Sequence, residues 1–155
     1  MIALIQRVSS AAVRVDARAV AEIGPGLLAL IGIARDDDAA LGTRLLQRLL
    51  DYRVFPDDAG RMNRSLRDLG AGLLLVPQFT LAADTDSGNR PGFQTAAAPE
   101  IARTLYGRLL EEARRTHRGT VGSGEFGAHM QVSLVNDGPV TFWLEVPAGA
   151  ASLPP

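Results

Sequence analysis

The sequence predicts an α+β domain: a largely antiparallel or mixed β-sheet with two helices packed on one face. Three observations carry this expectation. Alternating or β-branched segments lie at both ends of the chain, two stretches with helical spacing lie between them, and 155 residues suffice for one ordinary core.

The elements follow in order. Met1 to Val8 and Ala11 to Val15 read as strands, and the polar break at Asp16 to Arg18 leads into Ala19 to Ile23, making a hairpin. Gly24-Pro25-Gly26 has turn residues, after which Leu27 to Ile33 is apolar enough for a buried strand. Asp36, Asp37 and Asp38 precede a run in which Leu41, Leu45, Leu46, Leu49 and Leu50 recur at helical spacing. Three adjacent carboxylates invite a metal site, yet they stand where a helix start takes caps and negative charge, so capping is the reading taken. Tyr52 to Phe55 is extended, Pro56 to Gly60 has the composition of a turn, and Met62 to Leu69 fits helix or strand.

Gly70-Ala71-Gly72 releases the strongest strand candidate, Leu73 to Val76, directly into Pro77-Gln78-Phe79-Thr80-Leu81. Ala82 to Ala98 is small, polar and aperiodic, a long loop of the kind kept for function. Pro99 and Glu100 suit a helix first turn, and Ile101, Leu105, Leu109 and Ala113 mark one apolar stripe down to Arg115. The glycine-rich stretch Gly119 to Gly127 leads to Met130 to Val135, which is expected to form a terminal hairpin with Val140 to Val146 across Asn136-Asp137-Gly138-Pro139. The domain is expected to span residues 1–147, with 148–155 a flexible tail.

Composition excludes several chemistries. There is no cysteine, which removes disulfides, thiolate metal sites and a cysteine nucleophile. Gln6 and Arg7 interrupt the first eight residues, so neither a signal peptide nor a membrane span is read there, and a cytoplasmic protein is expected. A formal net charge of −1 argues against a wide grip on nucleic acid, so any RNA contact should be local. The best basic cluster is Arg103, Arg108, Arg114, Arg115 and Arg118, which fits a solvated helix face as well as a phosphate-binding surface. Zinc spacing, a phosphate-cradling glycine loop followed by lysine, and a serine at a nucleophile elbow are all missing, so no metal and no cofactor is expected.

Pro77-Gln78-Phe79-Thr80-Leu81 and Asn136-Asp137-Gly138-Pro139-Val140-Thr141 resemble the two signature motifs of D-aminoacyl-tRNA deacylases. Met1 to Val8, Glu22 to Leu27, Asn89-Arg90-Pro91 and Phe126 through Trp143 also resemble that family, so the likeness covers nearly the whole chain. The resemblance implies hydrolysis of the ester in D-aminoacyl-tRNA to free tRNA and a D-amino acid. It also implies a homodimer with active sites at the interface, where the first motif of one chain meets the second motif of its partner. One departure stands out: the first motif usually opens with serine, and here Pro77 removes both that hydroxyl and a backbone donor.

An ester is already reactive, so the protein need supply only position and donors for the oxyanion. Gln78, Phe79 and Thr80 are the catalytic candidates: the N–H groups of Phe79 and Thr80 as oxyanion donors, Gln78 to hold the terminal adenosine, and the Phe79 ring to pack near it. Thr80 as a nucleophile is the alternative, without an evident base, since His117 lies in a polar stretch and His129 stands where the family generally carries an acid. Both histidines are read as structural or surface residues. The resemblance suggests instead that the ribose 2′-hydroxyl helps activate the water.

Gly138, Pro139, Phe126 and Met130 are the substrate-binding candidates, with Phe126 and Met130 lining the same pocket as Gln78 and Phe79. Read alone, Gly138-Pro139 is a hairpin turn; the resemblance implies a cis bond whose two carbonyls take the α-amino group and leave no space for an L side chain. Exclusion of that kind admits glycine, so side activity on glycyl-tRNA is expected. Two other classes stay open: a general esterase or peptidase using Thr80, and a non-catalytic dimeric binding protein.

Overall fold

The first strand organises the molecule. In a computed structural model, which describes residues 1–86 and 88–149, β1 (Ile2–Val15) is one strand of 14 residues rather than the two shorter ones expected. It pairs antiparallel with β3 (Gly26–Gly32) through its first half and with β2 (Arg18–Ile23) through its second, while β8 (Gln131–Glu145) runs antiparallel along its other edge. Asp16 and Ala17, at φ 48° and 64°, form the two-residue turn into β2, a left-handed geometry that matches the strand twist.

Beyond β3 the sheet becomes parallel, through β6 (Gly72–Pro77) to β7 (Val121–Ser123). Gly26 lies opposite Gly72, and a Cβ on Gly26 would stand 1.9 Å from the Gly72 carbonyl oxygen, so β3 can begin beside β6 only with glycine at position 26. β7 was not expected: the glycine-rich stretch contributes this third partner.

Alternation along the strands sorts two cores. Ala3, Ile5, Leu27, Ala29, Ile31, Leu73 and Leu75 face α1 (Ala39–Asp51) and α3 (Pro99–Thr116), where Leu45, Leu46, Leu49, Leu105 and Leu109 complete the main cluster. Both predicted helices therefore cover one face of a mixed sheet, as expected. Truncating one of these buried leucines to alanine would cost about 2–5 kcal/mol. Val13, Ile23, Leu28, Leu74 and Val76 point the other way into a smaller cluster, against which Met130 and Val132 pack.

The acids before α1 divide their work. Asp38 caps the helix by accepting from the Leu41 N–H at 2.8 Å, whereas the buried Asp37 accepts from the Met1 ammonium at 2.6 Å and the Ala34 N–H at 2.6 Å. The ambiguous segment is both things in turn. β4 (Arg53–Pro56) pairs with β5 (Met62–Ser65), and Ser65 then opens α2 (Leu66–Leu69) with a capping box to Asp68.

The expected terminal hairpin is absent. β8 stays on β1, pairing Asn136 with Val8 and Thr141 with Gln6, so residues 137–140 of β8 stand against Arg7 alone and are thrown out as a bulge. Its closure is local: the Asn136 side chain accepts from the Val140 N–H at 3.1 Å, and Arg7 Nε donates to the Asp137 carbonyl at 2.9 Å. Turn-forming residues here loop out of a strand without reversing it. Most of the expected tail, residues 150–155, falls outside the described residues.

Candidate active site

Where β6 ends, the sheet opens. Leu75 is the last residue of β6 paired with β7, its carbonyl accepting from the Gly124 N–H at 2.8 Å. The next residue facing that side is Pro77, which has no N–H to continue the ladder. Instead its ring approaches Gly124, where an added Cβ would meet Pro77 Cδ at 3.2 Å and Met130 Sδ at 2.8 Å. The ladder between β6 and β7 accordingly ends at Leu75 and Ser123, followed only by the Gly124 N–H bond to the Leu75 carbonyl.

The space they leave is a cleft of about 470 Å³, within the usual range for a small-ligand site. Gln78 and Phe79 form one wall, Phe126 to Met130 the opposite one, and Ala97, Pro99 and Ala102 the α3 side. Four of the predicted site residues, Gln78, Phe79, Phe126 and Met130, therefore meet in one place. Thr80 does not line the cleft; it sits one residue further along the same turn.

That turn is a single 3-10 helix, Phe79–Ala82. Leu81 is the first residue whose N–H pairs within it, donating to the Gln78 carbonyl at 3.2 Å, so the turn itself supplies no acceptor for the N–H groups of Phe79 and Thr80. Gly32 of β3 lets the turn pack close, since a Cβ there would lie 2.7 Å from Leu81 Cβ. Gln78 Nε2 donates to Thr80 Oγ1 at 2.6 Å, which gives the hydroxyl an amide neighbour, a group with no basicity to activate it.

The far wall is aromatic and charged. Phe126 is half-buried beside Tyr106, and the Arg103 guanidinium stands 4.8 Å from its ring centroid. Tyr106 donates its hydroxyl to the Leu75 carbonyl at 2.9 Å, and burial pushes its phenol well above the ordinary range, offset in part by a hydrogen bond with Ser123 and the charge of Arg114. Phe79, 58% exposed, packs its ring against Phe93 of the long loop at 5.0 Å.

The remaining predicted residues separate. His117 is buried with Nε2 2.7 Å from the Ala71 carbonyl oxygen, the structural role expected. His129 is exposed but lines the cleft, a placement the sequence did not signal. Gly138 and Pro139 are exposed in the β8 bulge, joined by a cis bond, and are not among the residues lining this cleft. Arg7 holds the bulge from beneath, pairing with the Asp137 carboxylate at 3.1 Å and donating to the Val54 carbonyl at 2.6 Å. Among the described residues, no group of three or more His, Asp or Glu side chains is placed to hold a metal ion, and no helix is long and apolar enough to cross a membrane.

Comparison with known proteins adds the family. The model of the D-Tyr-tRNA(Tyr) deacylase family matches residues 4–145. The chain is 65% identical over 144 residues to a D-aminoacyl-tRNA deacylase of Xanthomonas oryzae pv. oryzae (strain MAFF 311018), covering 93% of this chain and 99% of the relative. It is 63% identical over 147 residues to the D-aminoacyl-tRNA deacylase of Thioalkalivibrio sulfidiphilus (strain HL-EbGR7), covering 95% and 98%. Among solved structures it resembles a c-Myc DNA Unwinding Element Binding Protein, with a TM-score of 0.91 at 39% identity over 96% of this chain and all of that one. A probable eukaryotic D-amino acid tRNA deacylase, at 18% identity over 94% and 98% of the two chains, shares the fold with a TM-score of 0.80. With both motifs in place and the family model spanning nearly the whole fold, the chain belongs to the D-Tyr-tRNA(Tyr) deacylase family.

Proposed function

We propose that this protein hydrolyses the ester bond of D-aminoacyl-tRNA, releasing free tRNA and the D-amino acid, in the cytoplasm and as a homodimer. One observation carries the reading: the cleft gathers Gln78, Phe79, Phe126 and Met130 beside a turn that leaves the Phe79 and Thr80 N–H groups without acceptors of its own. Two such donors, fixed at the strand end, suit the charge that develops on the carbonyl oxygen. The terminal adenosine packs between Phe79 and Phe126, held by Gln78. The ribose 2′-hydroxyl assists the attacking water, so the protein needs no triad of its own.

Handedness is judged from across the dimer. The exposed bulge of one chain presents the carbonyls of Gly138 and Pro139 to the partner's cleft, where they accept from the α-amino group and occupy the space of an L side chain. Separation of the bulge from the cleft within one chain supports this trans arrangement, as does the second edge of β8, which pairs with no strand among the described residues. Incubating the purified protein with matched D- and L-tyrosyl-tRNA tests the reading: the D ester should be lost and the L ester spared. Equal loss of both would end the exclusion model, and no loss of either would end the enzymatic one. Glycyl-tRNA should be cleaved slowly, because it has no side chain to exclude.

A further inference from the structure

Four of the five arginines that form one cluster in the sequence fall into two rows on α3, and Arg118 lies beyond its end. At 100° per residue, Arg103 and Arg114 lie about 20° apart, and Arg108 and Arg115 share another line about 120–140° round the helix. The buried stripe of Ala102, Tyr106, Leu109 and Ala113 lies on the far side of the helix, so both rows are on its exposed face, with Gly107, Glu100 and Glu111 between them. The first row flanks the cleft, since Arg103 covers Phe126 at 4.8 Å and Tyr106 touches the same ring. Along it the helix surface is clear: a Cβ on Gly107 would meet nothing within 4 Å, so internal packing does not require glycine at this mid-helix position. Both arginines are exposed, and no ion pair among the described residues uses either. The nearest acids are Glu100, three residues before Arg103, and Glu111, three before Arg114, each about 60° round the helix from its arginine and in no ion pair with it.

We propose that Arg103 and Arg114 form a phosphate-binding row that leads the single-stranded 3′ end of an RNA along α3, over Gly107, into the cleft. The two side chains are about 16 Å apart along the axis, enough for a short run of backbone phosphates to bridge them. A protein of net charge −1 must concentrate its attraction for a polyanion locally, and two exposed guanidiniums, one stacked on Phe126 of the cleft wall and one three turns further along α3, do that. This inference rests on the deacylase reading for the identity of the RNA, although the binding surface can be tested without it.

The test compares two double variants with the same charge change on the same helix, R103Q/R114Q and R108Q/R115Q, with R103K/R114K as the charge-retaining control. Binding to a short single-stranded RNA oligonucleotide is measured against salt, and deacylation kinetics are taken with D-tyrosyl-tRNA and with D-tyrosyl-adenosine, which lacks phosphodiesters. R103Q/R114Q should weaken oligonucleotide binding about tenfold or more, the lysine double should recover most of it, and the slope of log affinity against log salt should fall by about 1.4, at about 0.7 per lost phosphate contact. Its KM should rise far more for tRNA than for the aminoacyl-adenosine. Equal effects of the two glutamine doubles, or none from R103Q/R114Q, would overturn the row. A wild-type protein that binds the oligonucleotide through these arginines yet cleaves neither substrate would instead overturn the deacylase reading and leave the row standing.

Discussion

Thr80 carries the one hydroxyl of its motif. Its sequence position invites a nucleophile, but its partner is the Gln78 amide at 2.6 Å, and the groups suited to the oxyanion are backbone N–H donors. Thr80→Val is therefore expected to keep kcat on D-tyrosyl-tRNA within about tenfold of wild type, whereas loss of a true nucleophile would lower it by roughly a thousandfold or more. Gly138 is the opposite case, a residue without a side chain that nothing else can replace. Its φ of 145° lies where L side chains are strained, and a Cβ would meet Val140 Cγ2 at 2.6 Å. Gly138→Ala should destabilise the fold by about 1–3 kcal/mol and lower the ratio of D- to L-tyrosyl-tRNA hydrolysis. An unchanged ratio alongside a lowered Tm would remove the bulge from the account of chirality. The close packing around Gly124 and the cleft position of His129 were not legible in the sequence, because both depend on segments distant along the chain meeting in the fold.

Elements divide by how much of their pattern is local. The leucine spacing of α1 and the stripe of α3 were readable because helical period alone decides which side faces the core. Asn136-Asp137-Gly138-Pro139 was misread as a reversal, since the same residue types serve a turn and a bulge; only the two-sided pairing of β1 and the grip of Arg7 choose between them. β7 was missed because three residues around Gly122 carry no alternation to read. The short α2 offers a clean test of a local signal. Hydrogen bonds from the Ser65 backbone N–H and then its hydroxyl hold the Asp68 carboxylate below its ordinary value of 3.8. A carboxylate depressed in the folded state stabilises above that value and loses its contribution as pH falls through the depressed one. The Tm difference between wild type and Asp68→Asn should therefore shrink as the solution is acidified below about pH 3.8, which calorimetry across pH can follow.

For the whole molecule the question is what covers β8. Fifteen residues long, it has one edge paired to β1, and Val135 and Trp143 are 58% and 51% exposed on it. Sedimentation of the wild type should report a dimer, and Val135→Arg a monomer that has lost deacylation while keeping its circular dichroism; an active monomer would break the case for a shared site. The sequence predicted the fold class from its termini and two helices, but the cleft was less legible, because its walls come from β6, α3 and the segment before β8, whose meeting is a property of the finished sheet. Pro77 sits at that meeting. A residue with an amide proton there could stitch the strand end to the segment beyond Gly124 and draw the mouth closed like a seam; the imino acid leaves the last stitch out.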